Sequence, residues 1–98
     1  MRKEDIIREI AFKTGIERQD VDMAVNALFT VIKQNLMNGE DVYFRGFGSF
    51  IVRKRAAKKA RNITRNETLM LPERHIPFFR PSDIFIEHVK ANSEKFGK

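Results

Sequence analysis

Residues 46–66 read GFGSFIVRKRAAKKARNITRN, and the reading of this stretch decides the fold. Its opening is a glycine-punctuated aromatic strand, with Phe47 and Phe50 as anchors and Gly46 and Gly48 placed where a strand bends or bulges. The remainder changes character. From residue 53 to residue 65 stand seven bases (Arg53, Lys54, Arg55, Lys58, Lys59, Arg61, Arg65) and no acid. By local propensity RKRAAKKAR is a good helix former and a poor strand former, so a basic helix forking across a duplex is one reading. Such a helix needs a heptad repeat beside it to hold a dimer, and none flanks it. A segment that is half core anchor and half cationic also suggests a body that holds something and an arm that grips a polyanion.

The charge of the whole chain supports a localised site. Residues 1–44 carry six Lys/Arg against eight Asp/Glu, for a balance of −2. Residues 45–81 carry ten against two, or +8, and residues 82–98 carry three of each. The net +6 therefore sits in the middle third, whereas a bland basic surface would spread it. Solvated faces also mix the two signs, which the arm does not. At 98 residues the chain is one domain. A core this small, with no disulfide, calls for a partner chain to bury part of its 42% apolar residues. The absence of Cys excludes a disulfide framework, a thiolate metal site and a cysteine nucleophile, and it fits a reducing cytoplasm. No apolar run approaches the length of a membrane span or a signal sequence.

Outward from the central stretch, residues 3–13 are expected to form a helix with Ile6, Ile7, Ile10 and Ala11 on one face and Gly15 as its stop. Phe12 lies off that stripe and is expected to cover a loop or a neighbouring chain. Residues 20 to about 38 give a longer helix with a broad apolar side (Val21, Ala24, Val25, Leu28, Phe29, Val31, Ile32, Leu36), wide enough to pack on a sheet and on a second subunit. Residues 41–45 and 47–52 read as short strands, and residues 68–71 with 74–79 as the strand returning from the arm, interrupted at Pro72. Ser82 is placed to cap a last helix with Asp83 in its first turn and Phe85 and Val89 inward. Residues 92–98 read as a mobile polar tail with one stray aromatic, Phe96.

On GFGSF at residues 46–50, on Arg53, Arg55, Lys58 and the pair Arg61 and Asn62, and on IPFFRP at residues 76–81, the chain resembles the bacterial HU/IHF family of histone-like DNA-binding proteins. The likeness runs without an obvious gap from the N-terminus to about Val89. A glycine–phenylalanine–glycine run alone is weak; joined to the basic run at the family's spacing and to the second block, it is specific. The resemblance implies an α+β intertwined homodimer with a helical base, a three-stranded antiparallel sheet and an extended β-ribbon arm from each subunit. The family-like domain would span residues 1–91, with the arm at about 53–76, followed by the tail. Heterodimerisation with a paralogue, as IHF-type subunits do, stays open.

The resemblance also carries the site. Its DNA-contacting positions fall on Arg53, Arg55, Lys58 and Arg61 of the outgoing strand and on Arg74 and Arg80 of the return, with Asn62 at the tip and Lys3 at a flank of the body. Lys54, Lys59 and Arg65 would strengthen the same field. Phe29, Phe47, Phe50 and Phe79 match core and dimer-interface positions and are assigned no ligand. At the tip the chain departs from the family's pattern of Arg-Asn-Pro followed by a Thr-Gly turn: Ile63 holds the proline position and Asn66 the glycine position. HU and IHF are themselves minor-groove architectural proteins, and isoleucine is among the apolar wedges that such proteins insert between bases. Ile63 either intercalates in this way or rides over the groove wall, leaving a clamp without a sharp kink. Asn66 tolerates a left-handed turn better than most residues. Early in the last helix many relatives carry lysines that hold DNA against the dimer's side. Asp83 and Ile86 stand there instead, which implies a shorter contacted site.

The expected function is architectural: binding duplex DNA in the minor groove through the basic arms, bending or compacting it with little sequence specificity, in a bacterial nucleoid. No cofactor, metal, membrane or small-molecule substrate is expected. The enzyme reading has little to stand on. His75 and His88 are the only histidines, the Asp83/Glu87 pair has the spacing common on solvated helices, and no nucleophile motif or phosphate loop is present. A basic RNA-binding protein of ribosomal type is the nearer competitor, and an IHF-like, sequence-preferring subunit is another.

Overall fold

The computed structural model describes residues 1–62 and 67–96. Three helices and five strands follow the order α1 (Lys3–Thr14), α2 (Arg18–Met37), β1 (Val42–Phe44), β2 (Gly48–Arg55), β3 (Lys58–Asn62), β4 (Glu67–Leu71), β5 (Arg74–Pro81) and α3 (Asp83–Ala91), with a 3₁₀ turn at Ser93–Phe96. This is the α+β architecture expected.

At the start of α1, the Arg2 amide donates to the Asp5 carboxylate (2.9 Å), satisfying one of the donors left over at a helix start. At its end Gly15 takes φ 74° and donates to the Ala11 carbonyl, a left-handed cap that only glycine adopts without strain. Helix α2 begins at Arg18, two residues before the sequence expectation. The Glu17 carbonyl already accepts from the Asp20 and Val21 amides, so the first turn forms without a side-chain cap. Ile7 of α1, fully buried, and Val21 of α2 are the two buried apolar side chains among the described residues. Around them the Arg18–Glu4 ion pair (3.2 Å) and the Lys3 Nζ hydrogen bond to Asn26 Oδ1 (2.8 Å) tie the helices. Being exposed, each of these adds at most about 1 kcal/mol.

The main sheet has the order β1–β2–β5, antiparallel throughout. Between β1 and β2, Gly46 at φ 80° closes a turn in which the Phe47 amide donates to Phe44 O. Ser82 then donates its amide to Phe47 O and accepts from the Phe85 amide (3.1 Å), so one residue anchors the turn and caps α3. Gly48 is needed for a different reason. A Cβ there would lie 2.6 Å from the Arg80 carbonyl and 2.8 Å from the Phe79 ring.

Strand β2 does not stop near residue 52 but carries the ladder on through Arg53, Lys54 and Arg55, with Arg55 opposite Arg74. The ladder lapses at residues 56–57 opposite Pro72 and Glu73, then resumes as β3–β4 with Lys58 opposite Leu71. Proline cannot donate to a ladder, so an interruption at Pro72 is expected on physical grounds. No residue is gained or lost across the gap, and the ribbon keeps one register from Gly48–Pro81 to Asn62–Glu67.

The chain is long and open: its radius of gyration is 19.0 Å, where a compact chain of this length has about 13 Å. Its accessible surface is 8650 Å², against roughly 5,800 Å² for a closed monomer of its mass. Large apolar side chains contribute to it. Met23, Leu28, Phe29 and Val31 of α2, Phe47, and Ile86 and Val89 of α3 all stand exposed in the single chain. Phe12 is 89% exposed and covers no loop of its own chain. The end of the chain differs from the expected tail. Ser93–Phe96 closes a 3₁₀ turn after Asn92, whose amide and side chain bond back to the last turn of α3.

Candidate nucleic-acid interface

The pairing of β2 with β5 sorts the side chains into two faces. Phe50 stands opposite Phe79, Val52 opposite Pro77 and Lys54 opposite His75. Phe50 and Phe79 build the core, with ring centroids 4.9 Å apart, and Phe47 joins Phe79 at 5.1 Å and stacks on Phe85 at 5.3 Å. Phe44 closes the group edge-on to Phe50 at 6.1 Å. Because successive strand residues alternate, the next pairs along must face the other way.

That other face carries Ser49 with Arg80, Ile51 with Phe78, Arg53 with Ile76, and Arg55 with Arg74. Four arginines thus stand on one side of two strands, spread over about 20 Å of strand between Arg80 and Arg74, and no acid pairs among them. The Arg53 guanidinium carbon lies over the Phe78 ring, 3.7 Å from its centroid. Lys54 is on the opposite face, where it meets Glu73 at 3.4 Å. The two strands therefore segregate charge: neither places an acid on the arginine face, and among the described residues Lys54 pairs with Glu73 behind the sheet. Such an array of rigid, forked donors suits phosphate oxygens.

The sequence model of the family "Bacterial DNA-binding protein" matches residues 1–90. The chain belongs to that family. It is 38% identical to DNA-binding protein HU of Thermotoga maritima over 90 residues, covering 92% of this chain and all of that one. To DNA-binding protein HU of Geobacillus stearothermophilus it is 37% identical, with the same coverage. Among solved structures it superimposes on the Anabaena HU–DNA cocrystal structure with a TM-score of 0.86 at 30% identity, over 91% of this chain and 97% of that one. Its kinship is with the HU branch rather than with IHF.

The structure brings some of the expected site residues together and leaves others apart. Arg53, Arg55, Arg74 and Arg80 share the arginine face. Lys58 and Lys59 follow on β3, where consecutive positions alternate, opposite Leu71 and Met70. Arg61 pairs with Thr68 and Asn62 with Glu67 in the backbone ladder. Ile63, Arg65 and Asn66 lie outside the described residues. Lys3 stands on α1, with its ammonium engaged by Asn26 on α2. Of the aromatic set, Phe47, Phe50 and Phe79 meet in one cluster, while Phe29 stands 44% exposed on α2. Sequence reasoning missed two features. Phe44 completes the cluster, and Phe78 belongs to the arginine face; the signal was the alternation Ile76–Phe78–Arg80, out of phase with Phe79. His75 and His88 gather no partners: among the described residues no group of three or more His, Asp or Glu could hold a metal ion. No helix among those residues is long and apolar enough to cross a membrane.

Proposed function

We propose that two copies of this chain join through the apolar surfaces of α2, α3 and the aromatic cluster, and hold duplex DNA between their arms as an architectural protein of HU type. The observation that carries this reading is the arginine face of β2 and β5, free of acids and continuous in register with the basic ribbon beyond it. The apolar side chains left open in one chain supply the dimer interface. The cocrystal structure of the Anabaena relative holds DNA on the same fold, which supports the same partner here. Binding is mainly electrostatic, aided by DNA deformability, with little reading of base edges. The protein performs no reaction; its work is to bend, compact or stabilise DNA in the bacterial nucleoid. Arg53, Arg55, Lys58, Lys59, Arg61, Asn62, Arg65, Arg74 and Arg80 act as the phosphate and groove contacts, and Lys3 extends the contact at the flank. Ile63 is the wedge at each tip.

Competition tests this directly. A labelled duplex DNA bound to the protein is challenged with unlabelled duplex DNA, duplex RNA and single-stranded RNA of equal length. Displacement by duplex DNA at least tenfold more efficient than by either RNA is expected. Equal or better displacement by RNA would overturn the reading.

A further inference from the structure

Phe78 takes no part in the aromatic core, because it stands on the opposite face of β5 from Phe79. Its ring is half-buried, with Ile51 directly across the ladder and Ile76 two residues along the same face. Over it lies the Arg53 guanidinium, 3.7 Å from the ring centroid. Arg53 is half-buried, whereas Arg55, Arg74 and Arg80 are exposed. One arginine of the face is therefore held and three stand in water.

A free arginine side chain samples many rotamers and must be ordered when it meets an anion. Stacking on an aromatic face removes much of that freedom in advance. The ring's quadrupole attracts the cation, and the weakly hydrated guanidinium loses little by lying on it. Stacking uses the flat face of the group and leaves the N–H edge open, so the same guanidinium can still donate to a phosphate or a base-edge acceptor.

We propose that Phe78 is a positioning residue for DNA binding: it fixes the Arg53 guanidinium, edge outward, before the duplex arrives. The inference rests on the DNA-binding reading above and adds to it a residue that is itself uncharged. Pre-ordering lowers the cost of association, so its loss weakens binding without removing a charge.

The test uses the full-length protein with Phe78→Leu, Phe78→Tyr, Arg53→Ala and the Phe78→Leu/Arg53→Ala double variant, each checked by thermal unfolding. In the free wild-type protein the Arg53 side-chain protons are shifted upfield by the ring current, and Phe78→Leu abolishes that shift. Phe78→Leu lowers affinity for a linear duplex about tenfold through the two arms of a dimer. Phe78→Tyr retains wild-type affinity. Because no charge is lost, Phe78→Leu leaves the salt slope unchanged, whereas Arg53→Ala makes it shallower by about two for two arms. In the Arg53→Ala background Phe78→Leu costs nothing more. A full Phe78→Leu penalty in that background, or no ring-current shift, would overturn the proposal. Failure of the wild-type protein to bind duplex DNA would sink the DNA-binding reading instead, while the ring-current shift would still decide the stack.

Discussion

Replacing Gly48 by alanine isolates one steric contact. The added Cβ would meet the Arg80 carbonyl at 2.6 Å and two carbons of the Phe79 ring at 2.8 Å. The first is backbone in a paired strand, and the second is a ring wedged between Phe50 and Phe47, so neither can yield cheaply. Gly48 does not have a positive φ, so alanine suffers no conformational penalty there. Reduced freedom of the unfolded chain would even favour the variant by about 0.4–1 kcal/mol. Overpacking of a tight site costs about 1–3 kcal/mol and should prevail. The expected net loss is about 1–2 kcal/mol per chain, and about 1 kcal/mol corresponds to roughly 4–8 °C for a domain of this size. Thermal unfolding followed by circular dichroism, at one fixed protein concentration because Tm of the proposed dimer depends on it, should show Tm lowered by about 5–12 °C. Gly46→Ala is the control. Its φ of 80° makes alanine strained, yet nothing lies within 4 Å of a Cβ there, so its cost is conformational alone, about 1–2 kcal/mol. A Gly48→Ala protein as stable as wild type would refute the packing argument.

Three further expectations concern the DNA. Lys54→Ala should weaken duplex binding less than half as much, in free energy, as Arg55→Ala, because Lys54 stands behind the sheet with Glu73; parallel titrations at one salt concentration compare them. Ile63→Ala should reduce the bend that the protein imposes on a duplex labelled at both ends for energy transfer, and an unchanged angle would leave the arms as a clamp without a wedge. Asp83→Lys should lengthen a hydroxyl-radical footprint at its edges, at a stability cost of about 0.3–1 kcal/mol from the first turn of α3, and a footprint of unchanged length would show that this flank never meets DNA.

Much of the fold was legible because its signals are local. The apolar stripe of residues 3–13, the stop at Gly15 and the cap at Ser82 each rest on a few neighbouring residues, and each appears in place. The start of α2 was misplaced by two residues, since its first turn is supported by the Glu17 carbonyl rather than by a side chain that sequence could reveal. The strand at Arg53 to Arg55 opposed local propensity. It forms because Ile76, His75 and Arg74 offer a ladder from across the sheet, and pairing of that range is invisible to a local window. The resemblance, not the propensity, carried that element. For the site, the arginines were legible as a run, but their sorting into faces was not. Consecutive bases such as Arg53 and Lys54 look equivalent in sequence, and only the pleat and the register separate them.

The measurement that tests the central claim most directly is the salt dependence of binding to a linear duplex and to the same duplex carrying a nick. If each arm of a dimer neutralises about five phosphates, log affinity should fall against log salt with a slope near −9 on the linear duplex. The nicked duplex should bind more tightly at every salt concentration, because its bend costs less. A shallow slope, or no binding to either duplex, would contradict the account.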